Sequence, residues 1–266
     1  MTKKNINSKI KVFVCFLCAL CIFALSCLTV FAEAGVFNWY VMRNKEHKQP
    51  VAEKNLSFIS EYGGYYIDTK HGDSTEEKVV YLTFDAGYEN GNVEKILDVL
   101  KNQNVKGAFF VLGNLIERDT GLVCRMFDEG HLVCNHTYSH KSMVGKSREE
   151  VQSELRRLEQ TCKDLTGREL SKYYRPPEGK FDAKSLEYVN DMGYKTVFWS
   201  FAYEDWDNNR QMSPEKAKAK ILDNIHNGEV FLLHPTSATN AAVLEDVIIE
   251  LKDQGYRFGT LDELCG

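Results

Sequence analysis

The sequence predicts an α/β fold, a closed or nearly closed barrel of about seven parallel strands in one domain. Three observations carry that expectation. Short β-branched and aromatic runs alternate with helical periodicities from Lys78 to the carboxyl terminus. The number of strand-helix units favours a barrel over an open dinucleotide-binding sheet. No G-x-G-x-x-G follows the first strand, which disfavours dinucleotide binding.

Taken in order, the chain opens on a segment of a different kind. Lys3, Lys4, Lys9 and Lys11 precede an uncharged apolar run from Val12 to Ala32, the pattern that secretion machinery reads. Val30 and Ala32 supply small residues for cleavage, and Ala32-Glu33-Ala34 offers another site. The run is also long enough to cross a bilayer. Residues 1–32 are therefore expected to be a signal peptide or a signal anchor, with residues 12–32 as the membrane tether in the second case. Residues 33–77 read as a linker and an N-terminal arm, polar and irregular apart from Tyr62-Gly63-Gly64-Tyr65-Tyr66.

Residues 78–266 carry the alternation. Strands are predicted at Val79–Phe84, Gly107–Leu112, His131–Asn135, Tyr173–Arg175, Lys195–Ser200, Val230–His234 and Tyr256–Phe258. Val93, Ile96, Leu97 and Leu100 make one helical stripe, and Val151, Leu155, Leu158, Cys162 and Leu165 another. Ser147 and Glu150 form a capping box before the second. Ser213-Pro214 opens a helix over Ala217–Ile225. The last stripe, Leu244, Val247, Ile248 and Leu251, stops at Gly255.

The 266 residues are 43% hydrophobic and 27% charged, a globular composition, and the formal charge of -5 argues against a nucleic-acid partner. Setting aside residues 1–32, whose only charges are the four lysines, moves the charge to -9. Four of the eight cysteines go with them, leaving Cys124, Cys134, Cys162 and Cys265. No C-x-x-C pair remains, so a zinc-thiolate site has little support. One disulfide or four buried thiols fit the rest.

Unusual polar residues follow the strand ends. Asp85 follows the first strand, His136 and His140 the third, Arg175 the fourth, Asp205 the fifth, and His234 closes the sixth. In a parallel barrel these ends share one face, where active sites are built. His136 and His140, at i and i+4, can bind one divalent metal if a helical turn holds them; a pair of partly exposed N-cap histidines is the other reading. Asp85 can take a proton from water or simply end a strand. Arg175 can keep Asp85 ionised, or be a surface cation before a Pro-Pro turn. His234 can protonate a leaving group with Asp205 orienting it, or both can be satisfied loop residues. Trp199, Tyr203 and Trp206 can line a sugar pocket or pack in the core. No G-x-S-x-G elbow is present, so metal-assisted hydrolysis is preferred over a covalent route.

The segments TFDAG (83–87), HTYSH (136–140), RPPEG (175–179), DW (205–206) and LLHP (232–235) resemble, in order and spacing, the motifs of the polysaccharide deacetylases, carbohydrate esterase family 4. The resemblance runs from about Lys78 to Leu264. It implies a distorted (β/α) barrel and hydrolytic removal of N-acetyl from an amino sugar. By position it implies Asp85 as catalytic base, His136 and His140 as ligands of a divalent ion such as zinc, Arg175 as holder of Asp85, and His234 as general acid tuned by Asp205. The backbone N–H of Glu178 would meet the oxyanion, with Tyr88 and Trp206 beside the substrate.

One position departs from the family. Its first motif normally reads TFDDG, and the second Asp is the third metal ligand; here that residue is Ala86. Glu89 is the nearby carboxylate that can substitute. FDAGYENG (84–91), FWSFAYEDW (198–206) and LLHPTSATNAAVL (232–244) resemble one subgroup, the muramic-acid de-N-acetylases that prepare δ-lactam in spore cortex peptidoglycan. That implies a glycan strand of peptidoglycan as partner, and a place outside the cytoplasmic membrane, in the cell wall or the forespore intermembrane space. The alternatives are a vegetative peptidoglycan or chitin-type N-acetylglucosamine deacetylase, and a non-catalytic domain that binds glycan or a partner because of Ala86.

Overall fold

In the computed structural model, which describes residues 35–266, the chain first forms a two-residue strand β1 (Phe37–Asn38), a 3-10 helix over Lys54–Tyr62, and strand β2 (Gly64–Tyr65). The export segment predicted over residues 1–32 lies outside the described residues. Then come β3 (Lys78–Ala86), α1 (Val93–Asn102), β4 (Ala108–Val111), α2 (Gly113–Arg118), α3 (Thr120–Asp128) and β5 (Leu132–Asn135). They are followed by α4 (Arg148–Thr166), β6 (Ser171–Tyr174), β7 (Lys180–Phe181), α5 (Ala183–Asp191) and β8 (Lys195–Val197). The chain closes with α6 (Pro214–Leu222), β9 (Glu229–Leu233), α7 (Ala238–Asp253), β10 (Tyr256–Phe258) and α8 (Leu261–Cys265). Among the described residues no helix is long and apolar enough to cross a membrane.

All seven predicted strands form, and they pair in parallel. β3 is central, joined to β4, β9 and β10, and the sheet continues from β4 through β5 and β6 to β8. A bridge between Phe201 and Phe231 ties the continuation of β8 to β9, so the sheet curls into a distorted barrel. Strand alternation then sorts the side chains into two layers. Val79, Tyr81, Phe110, Cys134, Val197 and Val230, from five different strands, pack together inside the curl. Val80, Leu82, Phe84 and Ala86 face outward against the helices, where Ile96, Leu97 and Leu100 of α1 are fully buried. Each of the larger of these side chains stabilises the fold by about 2 kcal/mol.

Local signals set several boundaries. The Ser147 hydroxyl accepts from the Glu150 N–H at 3.2 Å, and Glu150 Oε2 accepts from the Ser147 N–H at 2.8 Å. That box starts α4 and is worth about 1 kcal/mol. The helices α2, α3 and α5 are new relative to the periodicity reading; at 6 to 9 residues they are too short to show a stripe. The four cysteines are free thiols, three of them buried.

The segment before β3 is built into the domain. β2 pairs in parallel with β8, adding a strand to the sheet. β1 pairs antiparallel with β7, Phe37 opposite Phe181. Trp39 stacks on Phe198 with ring centroids 4.4 Å apart, in a separate cluster with Val41, Leu56, Ile59 and Phe181.

Candidate active site

The last residue but one of β3 anchors the site. Asp85 faces the barrel mouth, opposite in the pleat to Phe84 and Ala86. Arg175, directly after β6, is wholly buried yet satisfied. It donates from Nη1 to Asp85 Oδ1 at 2.8 Å, from Nη2 to Thr83 Oγ1 at 2.7 Å, and from Nε to the Val197 carbonyl at 2.9 Å. Its guanidinium lies over the Phe110 ring at 4.2 Å. Burial by itself raises the Asp85 carboxyl, but its attraction to the neighbouring His136, Arg175 and His234 outweighs that and holds the group below its ordinary value. Asp85 is an ionised carboxylate in a largely dry place.

His136 and His140 lie beside it, though not on the helical turn that their spacing suggested. Residues 136–140 form an irregular bend in which Thr137 and His140 have φ of 67° and 57°. Left-handed backbone is costly for a β-branched residue, and its neighbours enforce it here. Asn135 Oδ1 accepts from the Thr137 N–H at 2.9 Å, while its amide donates to the Leu155 carbonyl and the Tyr194 hydroxyl. The bend brings the two imidazoles together, centroids 4.9 Å apart. His136 Nδ1 meets the Arg175 carbonyl at 2.8 Å and so carries the proton, which leaves Nε2, 3.4 Å from Asp85 Oδ2, as a lone-pair donor. Burial pushes the His136 pKa down to about 4.

Across the cavity, His234 follows β9. Its Nδ1 donates to Asp205 Oδ1 at 2.7 Å, and its backbone N–H donates to Asp205 Oδ2 at 2.8 Å. Burial works to lower the His234 pKa, but the attraction of Asp205 prevails and raises it above the ordinary histidine value. Asn240 of α7 completes the grip, donating to Asp205 Oδ2 at 2.6 Å and to the His234 carbonyl at 3.1 Å. The imidazole is oriented by one carboxylate and faces another.

These groups share a cavity of about 940 Å³, which Asp85, His136, His140, Glu178, Trp206 and His234 all line. Trp199 and Tyr203 line it too, and Trp206 is 61% exposed, unlike a core residue. Glu178 has a φ of 58°, and its carboxylate pairs with Lys180. Gly179 beside it, also left-handed, has room for no side chain: a Cβ there would come within 2.7 Å of Trp199. Two predicted residues fall elsewhere. Tyr88 is not in the cavity wall; it is exposed, and its hydroxyl accepts from Asn208 Nδ2 at 2.6 Å. Glu89 does not line the cavity either, because its Oε1 accepts from the Gly91 N–H in the following turn. The sequence reading missed Thr83, Asn135 and Asn240, neutral residues recognisable only by what they hold, and also Arg43 and Lys220 in the cavity wall.

One carboxylate held ionised beside two imidazoles faces a third imidazole kept protonated by a second carboxylate. That division of labour belongs to a hydrolase that activates water with one group and protonates the leaving group with another. A family profile described as polysaccharide deacetylase matches residues 72–197. The chain is 40% identical over 228 residues to the peptidoglycan-N-acetylmuramic acid deacetylase PdaA of Bacillus subtilis, covering 85% of each chain. The solved structure of that family 4 carbohydrate esterase superposes with a TM-score of 0.81, covering 86% of this chain and 96% of that one. The peptidoglycan-N-acetylglucosamine deacetylase PgdA of Listeria monocytogenes is 35% identical over 193 residues, 71% of this chain and 39% of that protein. The chain belongs to the polysaccharide deacetylase family, whose members are in general metal-dependent.

Two imidazoles, one with its tautomer fixed and its ring held neutral, suit a divalent ion. Among the described residues no group of three or more His, Cys, Asp or Glu side chains is arranged to hold one. Ala86 adds no donor, since its methyl is buried against the helices with Phe84 and Val111.

Proposed function

We propose that the protein removes the N-acetyl group from N-acetylmuramic acid in peptidoglycan, as a step towards muramic δ-lactam in spore cortex. The observation that carries this is the pair of opposed couples, Arg175–Asp85 and Asp205–His234, across one sugar-sized cavity. The muramic acid preference is supported by the likeness to PdaA over most of both chains.

In this reading Asp85 takes a proton from the attacking water as its oxygen bonds to the acetyl carbon. Arg175 keeps Asp85 basic enough for the task and fixes its direction. The backbone N–H of Glu178 meets the carbonyl oxygen as it gains charge. His234 gives its proton to the amide nitrogen as the C–N bond breaks, releasing acetate and a free amine. Trp206 offers an exposed face to a sugar ring. His136 and His140 would hold a divalent ion such as zinc, which would supply Lewis acidity towards water and carbonyl. Tyr88, on the exposed loop, meets the glycan outside the cavity. Residues 1–32 serve as signal peptide or anchor, residues 33–77 as linker and arm, and residues 78–266 as the deacetylase domain, acting outside the cytoplasmic membrane.

The test is acetate release from peptide-stripped peptidoglycan glycan by purified protein, compared with N-acetylglucosamine oligomers. Asp85→Asn is expected to lower the rate at least about 100-fold. Equal activity in that variant would refute the mechanism, and activity on glucosamine oligomers alone would refute the substrate. Ala86, in the position of a metal ligand, favours a second reading, a non-catalytic glycan-binding domain, which predicts binding of the stripped glycan without acetate release.

A further inference from the structure

The arm before β3 backs one wall of the cavity and contributes Arg43 to its lining. Trp39 donates its backbone N–H to the Gly179 carbonyl and its indole N–H to the Trp199 carbonyl, both at 2.8 Å, and Gly179 and Trp199 line the cavity. Four residues further on, Arg43 Nη1 donates to the Ala202 carbonyl at 2.8 Å, and its guanidinium lies 5.6 Å from the Phe201 ring centroid. The planar group is oriented by these contacts while most of its N–H donors remain unspent.

A second cation joins it. Lys45 pairs with Asp223 at 3.0 Å and ties the arm to the end of α6, one turn from Lys220, which lines the cavity together with Arg43. Among the described residues neither Arg43 nor Lys220 has a carboxylate within 4.0 Å. The nearby acids are engaged or apart. Asp85 is held by Arg175 and Glu178 by Lys180, while the exposed Glu204 pairs with neither cation. Arg43 also feels the field of the buried Glu229, but that carboxyl is taken by His226 Nδ1 at 2.8 Å.

The position relative to the reacting groups follows from strand register. Leu232 donates its N–H to the Phe201 carbonyl at 2.8 Å, which sets Ala202 roughly level with Leu232. His234 lies two residues on, about 7 Å along the strand. An anion held by Arg43 would sit within one sugar ring of the proton donor.

We propose that Arg43, assisted by Lys220, forms an anion subsite for the free lactyl carboxylate of the reacting muramic acid. The assignment rests on the muramic acid reading above and extends it to a specificity determinant. The lactyl group is on C3 of the sugar, next to the C2 acetamide, so one bound ring presents both to this wall. Glucosamine has no such carboxylate, and a muramic acid still bearing its stem peptide has an amide there. Neither supplies a partner for the two cations, so discrimination comes from the ion pair that only the free carboxylate gains and needs no steric block. The arm that carries Arg43 precedes the residues matched by the family profile, which begin at 72.

The experiment compares peptide-stripped glycan with the same glycan after its lactyl carboxylates are converted to methylamides. Acetate release is measured for the unsubstituted protein, Arg43→Gln and Arg43→Lys, with folding monitored by thermal melting. The unsubstituted protein is expected to prefer the carboxylate at least about tenfold in kcat/KM, mainly through KM, and the preference should shrink as salt is raised. Arg43→Gln should bring the ratio close to one, and Arg43→Lys should restore part of it. Lys220→Gln, which leaves the arm's anchors in place, should lower the ratio about threefold. An equal loss on both glycans, with the ratio intact, would show that Arg43 only fixes the arm and would overturn the subsite. So would an absence of preference in the unsubstituted protein. Failure of the substrate reading looks different: acetate would come from N-acetylglucosamine oligomers and from neither muramic glycan, which removes the subsite's ligand as well.

Discussion

At the scale of single residues, the site depends on which charge each ionisable group is made to keep. Asp85 is buried yet ionised because Arg175 spends its donors on the carboxylate and on the backbone around it. His234 is half-buried yet inclined to stay protonated because Asp205 sits 2.7 Å from Nδ1. The signs predict the pH profile. Asp85, with its value lowered, stays competent as base below the ordinary carboxylate range; His234, with its value raised, stays competent as acid above the ordinary histidine range. The alkaline limb of kcat/KM therefore belongs to loss of the His234 proton. Asp205→Asn removes the raising influence, so that limb should move to lower pH and kcat at neutral pH should fall about 100-fold, as read from a pH-rate series. An unmoved alkaline limb would show that another group sets it. Much of this was legible from residue types alone: a lone Asp, Arg or His at a strand end signals little, but several on one rim signal chemistry. The supporting Thr83, Asn135 and Asn240 were not legible. Neutral hydroxyls and amides serve anywhere in a fold, and only the acceptor they find gives them a role.

At the scale of elements, regular structure followed the pattern where it was long and failed where it was short. The seven parallel strands matched because most are buried β-branched or aromatic runs bounded by turns, and the rest, β6 and β10, still carry aromatic residues into the core. The His136–His140 bend departed from its helical reading because i,i+4 spacing describes a helix only when intervening residues adopt helical dihedrals. Here Asn135 pins the Thr137 N–H and two residues turn left-handed instead. The arm was read as irregular, since its order comes from docking: Trp39 needs Phe198, Tyr66 and the Trp199 carbonyl, all distant in sequence. Trp39→Ala should cost about 3–5 kcal/mol, measurable by denaturant unfolding. It should also raise KM for the muramic glycan, because the same contacts position Arg43 and the Trp199 wall. Loss of stability with an unchanged KM would separate the arm from the substrate.

At the scale of the whole molecule, the barrel gathers residues 85 to 234 at one mouth while its interior stays a packed core. The two imidazoles come from a single five-residue bend, so an ion bound there would close almost no loop and lend the fold little. Chelation is accordingly expected to suppress acetate release, with recovery on added zinc, while the melting temperature moves by less than about 2 °C. A large drop in melting temperature would mean that the ion also binds a distant strand. The fold class, the strand count and the acidic, basic and imidazole groups of the rim could be derived from sequence alone, because periodicity and residue chemistry are local properties. Which of those groups touch, which stay charged, and which cations of the arm reach the cavity were decided only by the tertiary structure. Distance, burial and the competition for hydrogen-bond partners exist only once the strands are laid side by side.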